Sequence, residues 1–370
     1  MRGHVRKRGS TWTVVYDEGR DEHGKRRQRS KGGFATRREA QAFLSQTLTR
    51  LGDGSYAEPS KTTLAEFIVD EWLPAVAGTV RPLSYAQYEQ ITRCRIIPQL
   101  GQLRLQALTP AHLNALYAQL ERDGFAISSR RQTHVVAGRV LRDAVRWGRL
   151  VRNPAALADP PAATRTRAQA WTAKELSRFL EQVEGDRLFA LWRLAATTGM
   201  RRGELLGLTW RAVDVAGGRV HVEQQLVPTR GGCTFGPPKS SRSRRTVALD
   251  PKTVDAFGSH RDVQLAERTF AGEAYADADL VFANELGRYI HPQSLTAAFA
   301  RHRKAAGIPT GTLHILRHTA ATLALTAGIP VHIVAARIGD DPNTVLATYA
   351  HLLPQSDEQA AERVAALLVS

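Results

Sequence analysis

Between residues 11 and 16 the apolar positions fall at every second residue, Trp12, Val14 and Tyr16, which predicts a strand with one buried face. A turn follows at 21–24, the charged run Lys25–Arg29 resumes the extended pattern, and a helical pattern runs from Thr36 to Arg50. The polar stretch 52–60 separates this unit from four segments of helical periodicity near 63–74, 82–97, 109–122 and 127–148. The third opens on Thr109-Pro110, a capping residue ahead of a proline whose missing N–H is harmless in a first turn. Pro, Ala and Thr dominate 153–167, which reads as an extended strap between domains. Beyond it, Thr172 and Glu175 have the spacing of a reciprocal cap, and the pattern is mostly helical with one β interruption. Arg219–Val222 and Arg245–Leu249 predict strands on either side of a turn-rich basic segment containing Gly231-Gly232 and 237–244. The stretch 357–368 predicts an amphipathic helix. The expected fold class is mostly α with small β elements.

The chain has 370 residues, more than one core usually organises, so two or three domains are expected. Its net charge of +16 sits on a chain with too much Leu, Val and Ile for a disordered basic tail, which makes nucleic acid the economical partner. Between Arg2 and Arg38 alone, twelve Lys or Arg face four Asp or Glu. That first unit therefore reads as a DNA binder, or as a solvated basic hairpin without sequence preference. No run approaches 18 apolar residues, so no membrane partner is expected. Cys94 and Cys233 make neither a disulfide framework nor a zinc-ligand pattern, the basic start leads into no signal-peptide core, and the chain reads as cytoplasmic.

Candidate chemistry gathers in five residues, Arg201, Lys239, His314, Arg317 and Tyr349. His314, Arg317 and His318 fall at i, i+3 and i+4 of one predicted helix, so a single face carries imidazoles beside a guanidinium. Arg201 begins another helix after a glycine turn, where a phosphate already prefers to sit, and Glu204 three residues on is placed to hold its guanidinium. Taken singly, each has a plainer reading: an arginine at a helix start as a solvated charge, Tyr349 as an amphipathic core residue, His318 as a hydrogen-bonded structural histidine.

Together these segments resemble the tyrosine recombinases of phages and mobile elements. Residues 198–204 (TGMRRGE) are similar to that family's first arginine box, 314–318 (HILRH) to its second, and Tyr349-Ala-His351 to its nucleophile segment, over about residues 170 to 355. The resemblance implies an arm-type DNA-binding domain at 1–57 (a three-stranded sheet with a helix), a helical core-binding domain at 62–152 and a catalytic domain at 165–370. It implies a site-specific integrase acting through a 3′-phosphotyrosine. Arg201 and Arg317 would hold the phosphate, Tyr349 attack and Lys239 protonate the departing 5′-oxygen. His314 would bind the phosphate or help to deprotonate the tyrosine. No metal and no cofactor is called for. Arg130, Arg131, Arg139, Arg142, Arg242 and Arg244 are candidate DNA contacts, with Arg146, Arg149 and Arg245 read as further backbone-contacting charges. Duplex attachment sites, a homotetrameric synaptic complex, an excisionase and a DNA-bending host protein are the implied partners, at the bacterial nucleoid.

One departure stands out. Where the family has Gly-His or Gly-Trp ahead of the nucleophile, this chain has Gly339-Asp340. A carboxylate there repels a phosphate unless it is protonated or turned to orient an arginine. The departure reads as reduced activity, as compensation by a donor such as His351, or as an accepted variant; the expectation is an active protein with Asp340 in a supporting place behind the residues that touch the phosphate. The 357–368 helix is expected to dock on a neighbouring protomer or on its own domain. A DNA-binding regulator without catalysis and a type IB topoisomerase are the competing readings.

Overall fold

The structure is a computed structural model that describes residues 3–20, 24–52, 56–162, 169–229, 231–238, 241–349 and 365. The chain divides into two compact units, Met1–Arg165 and Thr166–Ser370.

The first unit begins with an antiparallel sheet of β1 (Gly3–Arg8), β2 (Thr11–Arg20) and β3 (Arg26–Phe34), in that order. The alternation seen in the sequence is that of β2, whose Val14 and Tyr16 meet Ala40 and Leu44 of α1 (Arg37–Gly52) in a small core. Next comes a helical bundle around Phe67, Trp72, Leu113, Tyr117, Val136 and Val140. Its first two helical runs, 64–77 and 82–100, each contain a proline shortly after a wider π-type turn, Phe67–Trp72 before Pro74 and Thr92–Ile96 before Pro98. Such turns absorb the hydrogen bond that proline cannot make. α2 (Pro110–Arg122) starts where Thr109-Pro110 predicts, and α3 (Ile127–Arg146) closes the bundle. The Trp72 indole N–H donates to Asp143 of α3 at 2.9 Å, which satisfies both buried polar groups.

The second unit is built on α4 (Ala173–Gln182), α5 (Phe189–Thr198), α6 (Arg202–Leu206), α7 (Pro251–Ala271), α8 (Pro292–Ala305), α9 (His314–Thr326), α10 (Val331–Ile338) and α11 (Pro342–Tyr349). Thr172 and Glu175 form the predicted reciprocal cap of α4. Trp171, Phe179, Trp192 and Phe299 pack ring against ring at its centre. The β interruption is larger than the sequence pattern suggests. Strands β4 (Val213–Asp214), β5 (Arg219–Val222) and β8 (Arg245–Ala248) form one antiparallel sheet, and β6 (Gln225–Thr229) pairs with β7 (Gly232–Gly236) as a separate hairpin. Those two strands escape a periodicity search because Pro228, Gly232 and Gly236 interrupt the alternation.

Among the described residues no helix is long and apolar enough to cross a membrane. The 357–368 segment lies, apart from Ala365, outside the described residues.

Candidate active site

Four elements of the second unit converge on one cleft: the α5–α6 turn, the start of β8, α9, and the α10–α11 region. Helix α5 ends at Gly199 with φ +65°, a left-handed position where a side chain would be strained and would press on Ile338 at 3.1 Å. The chain then turns so that Arg201 caps α6. Glu204, three residues on, accepts both the Arg201 backbone N–H (3.0 Å) and its Nη1 (2.9 Å). The expected clamp of Arg201 is therefore formed.

Glu204 is buried and serves a second arginine, since its Oε2 accepts from Arg245 Nη2 at 2.9 Å. Burial pushes the Glu204 carboxyl up, but Arg245 and then Arg201 outweigh it and hold the group below its ordinary range, so it is ionised at neutral pH. Arg245 also donates to the carbonyls of Arg337 (2.7 Å) and Ser243 (3.0 Å), and only 6% of its side chain is exposed. Its reading as a charge facing a DNA backbone is thereby corrected: it is a buried strut beneath Arg201. The signal was available, because Arg245 and the buried Val247 lie two apart on one strand and so share its inner face.

Arg317 is the most enclosed of the cleft's three arginines. Its Nη1 donates to the carbonyls of Gly199 (2.9 Å) and Ile338 (2.5 Å), and its Nη2 to Asp340 Oδ2 (2.7 Å). Burial and then Arg201 lower its pKa, against the attraction of Asp340. Arg201 Nη2 donates to the Gly339 carbonyl at 2.8 Å and lies 3.6 Å from the same Asp340 oxygen. Asp340 thus touches both cleft arginines. Gly339, φ +68°, lets the turn pass Arg245, whose Nη1 would sit 2.7 Å from any Cβ there.

His314, Arg317 and His318 share one side of α9 as their spacing predicts, and the two imidazoles meet edge to face at 4.6 Å. His318 is the one against the tyrosine: its Nδ1 lies 2.5 Å from the Tyr349 hydroxyl. Tyr349 is 4% exposed and packs with Leu325, Val334 and Val345, so its ring belongs to the core while its hydroxyl meets His318. Burial pushes the Tyr349 hydroxyl up to about 12, with Arg317 opposing and Asp340 adding to the rise. Burial and then Arg317 lower His318, which leaves it neutral and able to accept the tyrosine proton. The His314 imidazole opens to solvent on one side. Its packed surroundings, then His318, Arg317 and Arg201, still bring it down to about 4, against a smaller pull from Asp340.

Arg242 and Arg244 are exposed near the cleft, Arg242 paired with Asp341. Lys239 and His351 lie outside the described residues. In the first unit, Arg131 and Arg142 are exposed on α3, and Arg139 lies over the Tyr88 ring and donates to its hydroxyl at 3.1 Å. Arg130 differs: its side chain is 14% exposed and turned onto Glu121 at 2.8 Å, away from the exposed stripe.

The comparisons with known proteins point the same way. Residues 169–356 match the Phage integrase family, residues 4–51 an Arm DNA-binding domain and residues 63–120 a Phage integrase N-terminal SAM-like domain. This chain belongs to the phage integrase family, whose enzymes are site-specific tyrosine recombinases. It is 26% identical to the "Tyrosine recombinase XerC-like" protein of Caldanaerobacter subterraneus subsp. tengcongensis, over 97% of this chain and 96% of that one. It is 26% identical to an integrase of Streptomyces ambofaciens, over 92% and 89%. Its fold is similar to the Tn1549 transposon integrase in complex with transposon right end DNA (18% identity, TM-score 0.70, 83% and 100% covered). It is also similar to a lambda integrase tetramer bound to a Holliday junction (19% identity, TM-score 0.59, 96% and 97% covered).

Proposed function

We propose that this integrase cuts and rejoins duplex attachment sites through Tyr349, with Arg201 and Arg317 as the phosphate cradle. The observation that carries the reading is the convergence of a nucleophile with a neutral base on one arginine-bearing helix: Tyr349 against His318, the residue that follows Arg317. In the proposed step the Tyr349 oxygen bonds to phosphorus as the P–O5′ bond breaks. The tyrosine proton passes to His318, and the departing 5′-oxygen takes a proton from Lys239, a role the family likeness supports. The product is a 3′-phosphotyrosine, which a second 5′-hydroxyl reverses without an added energy source. Arg201 and Arg317 donate to the non-bridging oxygens with forks already fixed by Glu204 and by the Gly199 and Ile338 carbonyls, so little reorganisation accompanies the transition state. His314 is left to the phosphate, since His318 occupies the tyrosine.

By the same reading, 1–57 is the arm-binding domain, 62–152 the core-binding domain with Arg131, Arg139 and Arg142 toward phosphates, and 165–370 the catalytic domain. The arm and SAM-like matches support this division. Four copies around the exchange point are proposed from the likeness to the lambda integrase tetramer. An excisionase and a DNA-bending host protein would set direction, at the cytoplasmic nucleoid. Nicked duplexes carrying sequence from the flanks of the gene test the core of this. Wild type should form a denaturation-resistant protein–DNA adduct and Tyr349→Phe none; DNA binding without any adduct from wild type would refute the strand-transfer reading.

A further inference from the structure

Asp340 stands where the two cleft arginines converge. Its Oδ2 takes the Arg317 Nη2 at 2.7 Å and lies 3.6 Å from Arg201 Nη2, while Arg317 Nη1 donates to the Gly199 and Ile338 carbonyls. Glu204 is committed between Arg201 and Arg245. The arm of the Arg317 fork that an incoming anion needs is therefore held by a carboxylate of the chain itself.

This carboxylate is free to leave. Its side chain is 32% exposed, and its other oxygen accepts one N–H of the same turn, from Asp341 at 3.1 Å. The turn does not depend on it: Arg201 holds the Gly339 carbonyl, and Arg242 pairs with Asp341. Rotation of the Asp340 side chain toward solvent would clear both guanidinium groups without moving the backbone. A phosphate seated beside an unmoved carboxylate would instead meet strong like-charge repulsion.

We propose that Asp340 is a resident counter-anion that fills the phosphodiester's place in the DNA-free enzyme and swings out as the scissile phosphate enters, so that it sets the anion affinity of the cleft. The inference rests on the recombinase reading only for the identity of the anion. It differs from a purely structural role in sign: a buttress of Arg317 lowers anion binding when removed, whereas a competitor raises it.

The test uses the full chain and inorganic phosphate as probe, with binding read from the phosphate dependence of Tm. Asp340→Asn keeps the shape and removes the charge, and Asp340→Ala guards against an effect peculiar to the amide. The expected result is at least about a tenfold fall in the half-saturating phosphate concentration for both variants, roughly 1.4 kcal/mol. Adding Arg317→Gln should abolish that gain, which places it in this cleft and not elsewhere on a basic surface. Asp340→Asn should also form the nicked-duplex adduct faster than wild type. Unchanged or weaker phosphate binding in both folded variants would overturn the proposal. A phosphate gain in proteins that form no adduct would support the counter-anion and refute the recombinase reading alone.

Discussion

On α3, Arg131 and Arg142 stand exposed to solvent, and Arg146 has 69% of its side chain exposed beside Asp143. In the second unit Arg317 and Arg245 have 5% and 6% of theirs exposed, and each is fixed by three hydrogen bonds. On the proposed reading the same side chain is put to opposite uses. An exposed arginine keeps its hydration and rotamer freedom until a phosphate arrives, so it supplies affinity that salt screens. A buried and forked arginine has lost that freedom at folding and presents its donors already aimed, which favours a transition state over a ground state. The enclosed arginines have counter-charges built around them, Glu204 and Asp340, whereas the exposed stripe leans on few.

The largest effect expected on this contrast comes from Glu204→Ala. It strands two arginines that share one buried carboxylate, and breaking such an arrangement costs about 3–5 kcal/mol. Denaturant unfolding of the full chain should show that loss in the transition of the C-terminal unit; a loss below about 1 kcal/mol would mean the network is not cohesive. Next comes His318→Ala, which removes the proposed base and should slow adduct formation roughly a hundredfold. In wild type the same base predicts a pH profile. Because burial and Arg317 lower its pKa below the ordinary histidine value, the neutral form persists as pH falls through 6.5, and adduct formation should decline only below that point. A midpoint at or above 6.5 would assign the titration to another group. The stability sign agrees. The unfolded chain takes up protons before the folded His314 and His318 do, so their contribution is complete above about 6.5. It is lost as pH drops toward about 4, where His314 titrates. The smallest effect belongs to Arg142→Ala, which should flatten the slope of log binding constant against log salt by about one and leave unfolding unchanged.

Much of this was legible in the chain before its structure. The i, i+3, i+4 spacing of His314, Arg317 and His318 and the Arg201–Glu204 step are local, and local geometry is what a periodic pattern encodes. What escaped depends on segments far apart in sequence. The spacing to Val247 marks Arg245 as inward-facing, but the group it turns onto, Glu204, lies 41 residues away. His318 gains its place from α11, which brings Tyr349 to it across 31 residues. Arg130 shares the basic composition of α3, yet the turn before that helix directs it to Glu121. The β6–β7 hairpin was hidden for another reason, since its glycines and proline break the alternation that marks a strand.

The claim that the two sets of arginines divide affinity from chemistry is tested most directly by single-turnover adduct formation at saturating nicked duplex, with Arg317→Lys and Arg142→Ala side by side. Lysine keeps the charge of Arg317 but loses the planar fork. The account predicts DNA affinity near that of wild type for Arg317→Lys with an adduct rate at least about a hundredfold lower, and weakened binding for Arg142→Ala with an unchanged rate once saturated. An Arg317→Lys protein that reacts at the wild-type rate, or an Arg142→Ala protein that stays slow at saturation, would contradict it.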